Sequence, residues 1–255
     1  ATGQPAQIGA IEKMSKSKKN VVDLDDFVKD FGADVVRWFV LSDSPPERDV
    51  EWSASGAEGA WRFVQRVWTL TEAHGQPAPA QGAAPPPGAD QGEALALRQV
   101  ANRTLKSVTE DIEGFRFNRA VARCYELVNA IAKAKGDDAA IVFARGEALR
   151  ILTQVISPFL PHLAEECWEK LGFTRFVATT PWPAPNADLV REDSVTLPIQ
   201  VNGKRRGEIT VAKGLAEDDV KAQALAHEAV AAFLKDQTVR KVIVVPDRIV
   251  NIVAG

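Results

Sequence analysis

The stretch that decides the fold is residues 157–172, SPFLPHLAEECWEKLG. Pro158 ends one helical pattern, and Pro161 stands at the first turn of the next, where the missing backbone N–H is not needed. Gly172 is a residue typical of a helix end. Between the two, apolar residues recur at helical spacing, and these are Leu163, Cys167, Trp168 and Leu171. A helix with one apolar face needs partners that cover it, so the stretch predicts a helical bundle.

Three stretches upstream show the same spacing and complete the bundle, which we place at residues 55–178. Their apolar residues are Leu97, Ala101, Leu105, Val108 and Ile112; Phe117, Val121, Cys124, Val128 and Ile131; and Val142, Leu149, Leu152 and Ile156. An earlier helix is predicted to bury Trp61, Val64, Val67, Trp68 and Thr71. Tryptophans could also stack on bases, but helical spacing with other apolar residues favours the core.

Residues 74–92, HGQPAPAQGAAPPPGADQG, interrupt the bundle. They consist almost entirely of Pro, Gly, Ala and Gln, which offer little to bury against the entropy cost of ordering. We therefore predict a flexible, partly polyproline-like linker. A proline-rich recognition ligand is the alternative.

A change of period marks the last part of the chain, residues 179–255. In TLPIQVNGKRRGEITV, residues 196–211, apolar residues alternate with polar ones, and Asn202-Gly203 is a strong hairpin signal. A helical pattern over 217–235 follows, and two apolar strands close the chain. The order β-β-α-β-β predicts a small α+β domain, so the fold class is mainly α with an α+β end.

Composition limits the function classes. The 255 residues are 45% hydrophobic and 25% charged, as in globular proteins, with a net charge of −3. That charge argues against coating nucleic acid through the overall field. No apolar run is long enough to span a bilayer, and the two cysteines, predicted to be buried, fit a reducing compartment. We expect a cytoplasmic protein with no membrane association.

The stretch KMSKSKKN, residues 13–20, has no apolar face and cannot form core. Composition alone leaves a solvated surface run and an anion site as the two interpretations. KMSKS, residues 13–17, matches the second signature of class I aminoacyl-tRNA synthetases. The surrounding text resembles the leucine enzymes of that family in particular, through GADVVRWFVLSDSPPERDVEWSASGAEGAWRFVQRVW, SPFLPHLAEECWEKLG, TTPWP, PIQVNGKRRGEI and TVRKVIVVPDRIVNIV. These blocks occur in family order along nearly the whole chain.

The resemblance implies a role for the lysine-rich segment. In the family, the leucine carboxylate attacks the α-phosphate of ATP, and ammonium groups stabilise the charge that moves onto pyrophosphate. The implied ATP-binding residues are Lys13, Met14, Ser15, Lys16 and Ser17, with Lys16 and then Lys13 as the catalytic candidates. The implied ligands are ATP with Mg²⁺ as substrate, leucine and tRNA(Leu). Residues 1–54 would form the signature loop and a segment that braces the tRNA, and the protein would be a monomer.

The resemblance also implies missing parts. No HIGH-like signature surrounds any of the three histidines, so we expect the C-terminal part of a leucine enzyme that cannot form leucyl-adenylate alone. Candidate RNA-binding cations are Lys204, Arg205, Arg206, Arg240 and Lys241 in the terminal domain and Arg62, Arg66, Arg116 and Arg119 in the bundle. A surface role is the alternative for each. Two other readings stay open: a valine, isoleucine or methionine enzyme, and a non-catalytic RNA-binding module.

No metal site is predicted. Glu165 and Glu166 lie close to His162 in the sequence, but adjacent residues on a helix point about 100° apart. A salt-bridged surface is the better interpretation of this acidic group.

Overall fold

The computed structural model describes residues 12–191, 194–235, 237–246 and 248–255. The chain forms two compact units, the first ending at Val190 and the second beginning at Arg191. The mainly helical class with a small α+β end is confirmed. The boundaries predicted at residues 54 and 178 stay predictions.

The first unit is helical in every described regular element except two 3-10 turns, Lys16–Lys18 and Val177–Thr179. Its helices are α1 (Leu24–Phe31), α2 (Ala33–Asp43), α3 (Ala54–His74), α4 (Gly92–Glu113), α5 (Phe117–Lys133), α6 (Ala139–Ile156), α7 (Pro161–Lys170) and α8 (Ala187–Val190). None of the described helices is both long and apolar enough to cross a membrane.

One core joins α2 to α7, and it includes the predicted stripe residues of α4 to α7 except Val142. Both cysteines are buried there with free thiols, as predicted. At its centre the Trp38 ring stacks on Phe63 with 4.3 Å between centroids. Trp38 is not among the predicted core residues.

The prediction for α3 is partly wrong. Trp61 is 43% exposed, whereas Phe63, absent from the predicted stripe, is buried. Val67 and Thr71 are buried as predicted. The contact of Phe63 with Trp38 sets the rotation of the helix about its axis, and it turns Trp61 towards solvent.

The expectation that residues 74–92 have almost nothing to bury is also wrong. His74 is the last residue of α3, and residues 75–91 contain no helix or strand, yet Ala89 is fully buried. The Ala78 amide donates to the Leu171 carbonyl at 2.9 Å. A Cβ on Gly146 of α6 would lie 2.8 Å from Pro79, so glycine allows the proline to approach the helix. Prolines also lower the conformational entropy that the segment loses on ordering, so a segment with small side chains can pack with few apolar contacts.

Two side chains of α2 bind the turn that precedes α7 and the first residues of α7. Asp34 accepts hydrogen bonds from the Leu163 amide at 2.8 Å and the His162 amide at 3.4 Å, and its carboxylate also lies 2.8 Å from His162 Nδ1. Arg37 donates to the carbonyls of Pro158 and Phe159. Asp34 therefore satisfies backbone donors at the first turn of α7, which have no partner within their own helix.

The second unit is a four-stranded sheet with two helices. Its elements are β1 (Ser194–Val201), β2 (Lys204–Ala212), α9 (Glu217–Ala226), α10 (Glu228–Leu234), β3 (Val239–Val245) and β4 (Ile249–Ala254). The strand order is β2-β1-β4-β3, with β1 and β4 parallel and the other pairs antiparallel. The predicted helical stretch is broken at His227, which has an extended backbone between α9 and α10.

Candidate functional site

The lysine-rich loop, residues 13–20, is held by its own short polar side chains. The Ser15 hydroxyl lies 2.8 Å from that of Ser17, and the Asn20 side chain accepts from the Ser15 amide at 2.7 Å and donates to the Lys13 carbonyl at 3.4 Å. Lys19 has a φ of 54°, which reverses the chain after the 3-10 turn. Serine and asparagine compete well for nearby backbone groups, which explains why they shape this loop.

The lysines of this loop differ in their partners. The Lys18 ammonium pairs with Glu12 at 2.8 Å. Lys13 and Lys16 are exposed, and neither forms an ion pair with the described residues. Lys16 stands at the start of the 3-10 turn, next to the two serines. Lys19 is also exposed without an ion pair to the described residues, so the loop offers three uncompensated ammonium groups that an anion can reach.

The candidate RNA-binding cations of the second unit lie at one end of the sheet. Asn202, in the turn between β1 and β2, exchanges two hydrogen bonds with the backbone of Ala254, at 2.9 and 3.1 Å. Ala254 pairs in turn with Val239 at the start of β3. The residues after Asn202 and those after Val239 thus lie at the same end, three strand spacings apart, about 14 Å. The two basic groups share this end, and we call them the sheet-end cations: Lys204, Arg205, Arg206, Arg240 and Lys241.

Not all sheet-end cations are equally available. Arg205 pairs with Glu208. Arg206 is half-buried, with its guanidinium carbon 3.9 Å from the centroid of the Phe233 ring. Lys204, Arg240 and Lys241 are exposed and have no ion pair to the described residues. An irregularity of the β3–β4 register falls at Arg240.

The candidate cations of the bundle already have partners. Arg62 lies 3.7 Å from Glu58, and Arg66 donates to Asn129 at 2.7 Å, both on the exposed side of α3. Arg116 and Arg119 lie 2.8 and 3.5 Å from the same carboxylate, that of Asp111, which is 3% exposed. Arg116 also donates to the Glu110 carbonyl at 2.8 Å. These two arginines compensate a buried charge.

Phe115 is a candidate that sequence reasoning missed. It lies in the turn between α4 and α5, it is 65% exposed, and its φ is 55°. Such a backbone costs a residue with a Cβ about 1–2 kcal/mol. In the sequence, Gly114 marks the end of a helix, and glycine is the residue expected to take a left-handed backbone there. In the structure, Phe115 takes this backbone instead.

The two cysteines and Glu165 contribute to the fold and are not candidates for a chemical role. Burial raises the pKa of the Cys124 thiol to about 12 and that of Cys167 to about 11, so neither thiol is a ready nucleophile. Glu165 accepts from the amides of Val177 and Ala178 at 2.8 and 3.1 Å, so it caps a 3-10 turn instead of joining the predicted surface salt bridges. Within the part of the chain that the structure describes, no three His, Cys, Asp or Glu side chains are grouped as metal ligands.

The chain belongs to the family described as "Anticodon-binding domain of tRNA ligase", which matches residues 95–222. Residues 9–60, which include the lysine-rich loop, match "tRNA synthetases class I (M)". The curated relatives are leucine–tRNA ligases, with 57% identity over the whole chain for Maricaulis maris and 54% for Hyphomonas neptunium. The chain spans 29% of the length of each, in their C-terminal part.

A solved structure extends this similarity to the fold. The ternary complex LeuRS-tRNA-LeuAMS of Agrobacterium radiobacter K84 agrees with a TM-score of 0.79 and 31% identity, over 95% of this chain and 32% of that one. The resemblance to the leucine enzymes is therefore confirmed. The roles of individual residues stay predictions.

Proposed function

We propose that this chain acts within a leucine–tRNA ligase, which activates leucine with ATP and transfers it to tRNA(Leu). The chain supplies the lysine-rich loop and tRNA-binding surfaces. The observation that carries the proposal is the loop, where Lys13 and Lys16 are exposed cations with no carboxylate partner among the described residues. The similarity of the whole chain to leucine–tRNA ligases supports the choice of amino acid.

The loop has the chemistry for stabilising a leaving group. When the leucine carboxylate attacks the α-phosphate, the bond to the β-phosphate breaks and negative charge accumulates on pyrophosphate. An ammonium group that meets this charge only as it develops lowers the barrier more than it tightens ATP binding. Lys16 has this role, Lys13 assists, and the linked hydroxyls of Ser15 and Ser17 hold the turn and can donate to phosphate oxygens. Met14 is the remaining loop residue. ATP enters as its Mg²⁺ complex.

The RNA-binding surfaces follow from exposure and charge. Phosphate contacts need cations that can leave their protein partners at little cost. Lys204, Arg240 and Lys241 meet this condition best, and Arg205 and Arg206 would contribute after partial rearrangement. On the bundle, Arg62 and Arg66 are better candidates than Arg116 and Arg119, whose charges compensate Asp111. The exposed Phe115 ring can stack on an unpaired base.

The proposal is tested by separating chemistry from binding. The chain alone should bind tRNA(Leu) with an affinity that falls steeply with salt, yet show no leucine-dependent exchange of pyrophosphate into ATP. Exchange by the chain alone would contradict the expectation that this chain cannot form leucyl-adenylate by itself. Equal binding of tRNA(Leu) and of an unrelated duplex RNA would favour a general RNA-binding module. We further propose a monomer that works in the cytoplasm.

A further inference from the structure

A cavity in the first unit has no part in the proposed function. Its volume is about 380 Å³, and one wall is the segment 79–85 between α3 and α4. Other lining residues come from α4 and α6 and are polar. Arg98, Asn102 and Arg150 are buried, and Glu147 is half-buried. This volume lies in the range of pockets that hold small ligands.

The charges around this cavity do not balance. Arg98 is 7% exposed and pairs with Glu147, with 2.7 Å between Nε and the carboxylate oxygen. It also donates to the Ala89 carbonyl at 3.1 Å. Arg150 is 5% exposed and has no carboxylate of its own. The lining therefore holds two guanidinium cations and one carboxylate.

Arg150 lacks a hydrogen-bond partner that its burial demands. Its Nη1 donates to the neutral Gln154 side chain at 2.9 Å, but its buried Nε has no acceptor among the described residues. Burial lowers the pKa of Arg150, and the charge of Glu147 acts in the opposite direction. A guanidinium still stays protonated near neutral pH, so an unpaired donor and an uncompensated charge are both kept away from water.

The neighbouring amides cannot fill this gap. The Asn102 amide nitrogen donates to the Arg98 carbonyl at 2.9 Å, and its oxygen accepts from the Asn186 amide at 2.8 Å. The Gln154 oxygen already accepts from Arg150, and its nitrogen faces the Pro181 carbonyl at 3.4 Å. The acceptor that Arg150 lacks must therefore come from outside these residues.

We propose that this cavity binds the carboxylate or phosphate group of a small soluble anion, with Arg150 as its principal ligand. An oxyanion in the cavity supplies the missing negative charge beside Arg150, and guanidinium groups bind such oxygens in a fork. A phosphate of an RNA backbone does not fit, because RNA contacts need exposed cations and Arg150 is 5% exposed. The walls from residues 79–85 and Phe143 leave room for an organic body.

The test observes the Arg150 Nε–H signal directly by NMR of the whole chain. Inorganic phosphate and sodium acetate are titrated separately, with sodium chloride at matched ionic strength as the reference. We expect a saturable shift of this signal with phosphate, acetate or both, and a melting temperature that rises with the same anion. The anion that saturates first identifies the head group.

Two isosteric variants make the test specific. Gln154→Glu places a carboxylate beside Arg150, so it should weaken anion binding at least tenfold. Gln99→Glu is the matched control, because Gln99 accepts from Arg103 at 3.3 Å in a second Arg–Gln pair four residues apart on α4. It should bind as the unchanged chain does. The proposal is overturned if neither anion shifts the Arg150 signal beyond the chloride reference, or if Gln154→Glu binds as tightly as Gln99→Glu.

Discussion

Removal of the Asp34 carboxylate is expected to loosen α2 from the start of α7. Asp34 is 8% exposed and receives the Leu163 amide at 2.8 Å and the His162 amide at 3.4 Å. Asp34→Ala leaves these donors without an acceptor, and each such loss costs about 1–3 kcal/mol when the group is buried. The Leu163 bond is short and buried and the His162 amide bond is long, so we expect a total near 2–3 kcal/mol.

The assay is thermal unfolding followed by circular dichroism at 222 nm, because the first unit supplies most of the helix. For a unit of this size, a loss of 2–3 kcal/mol corresponds to a melting temperature lower by roughly 4–12 °C. Asp43→Ala is the matched control on the same helix. Asp43 is exposed at the C-terminal end of α2, where a negative charge is unfavourable, so its removal should not destabilise. Equal melting temperatures for the two variants would refute this account of α2 docking.

Three further predictions follow from single features of the structure. Phe115→Asn should raise the stability of the first unit by about 1 kcal/mol, since asparagine tolerates the left-handed backbone, and it should weaken tRNA binding. Calorimetry measures the stability and a binding titration measures the affinity; a less stable variant with full affinity would contradict both expectations. Burial raises the pKa of the Cys124 thiol to about 12, so the neutral thiol contributes stability below the unfolded pKa near 9, and this stability is lost as pH rises towards 12. Between pH 9 and 12, Cys124→Ala should therefore lose less stability than the unchanged chain in urea titrations. An equal loss would contradict this. The double variant Lys204→Ala/Lys241→Ala should make the plot of log affinity for tRNA(Leu) against log salt less steep by about 2 units. Lys221 is a cation paired within α9, so Lys221→Ala should leave the slope unchanged. Equal slopes for the two variants would contradict RNA binding by the sheet-end cations.

Regular elements of this chain were predictable because local signals agreed with the global fold. Pro161 and Gly172 bound α7 in the sequence, and the helix runs from Pro161 to Lys170. Asn202 and Gly203 form the predicted hairpin turn, both with positive φ. At such positions, sterics within a few residues decide the conformation.

The wrong predictions concern contacts between distant parts of the chain. The stripe on α3 depends on Phe63 meeting Trp38, which helical period alone cannot specify. Residues 75–91 pack because Gly146 and Gly172 leave space for Pro79 and Pro77, a match invisible in the composition of the segment.

The candidate site follows the same division. The lysine-rich loop was found by its motif, because its chemistry depends on residues adjacent in sequence. The sheet end could not be found in this way, because the register of β1, β4 and β3 brings Lys204 and Arg240 to one end. That Arg206 packs on Phe233 is likewise a tertiary fact.

The most direct test of the central claim is pyrophosphate exchange by a leucine–tRNA ligase that carries this chain. Lys16→Ala should lower the leucine-dependent exchange rate by about 10²–10³-fold, the typical effect of losing one donor to a developing negative charge, while tRNA affinity changes less than about twofold. Lys18→Ala is the matched control in the same loop, since the Lys18 ammonium is already paired with Glu12, and it should lower exchange only slightly. An unchanged rate for Lys16→Ala, or an equal loss for both variants, would contradict the role of this loop in stabilising the leaving pyrophosphate.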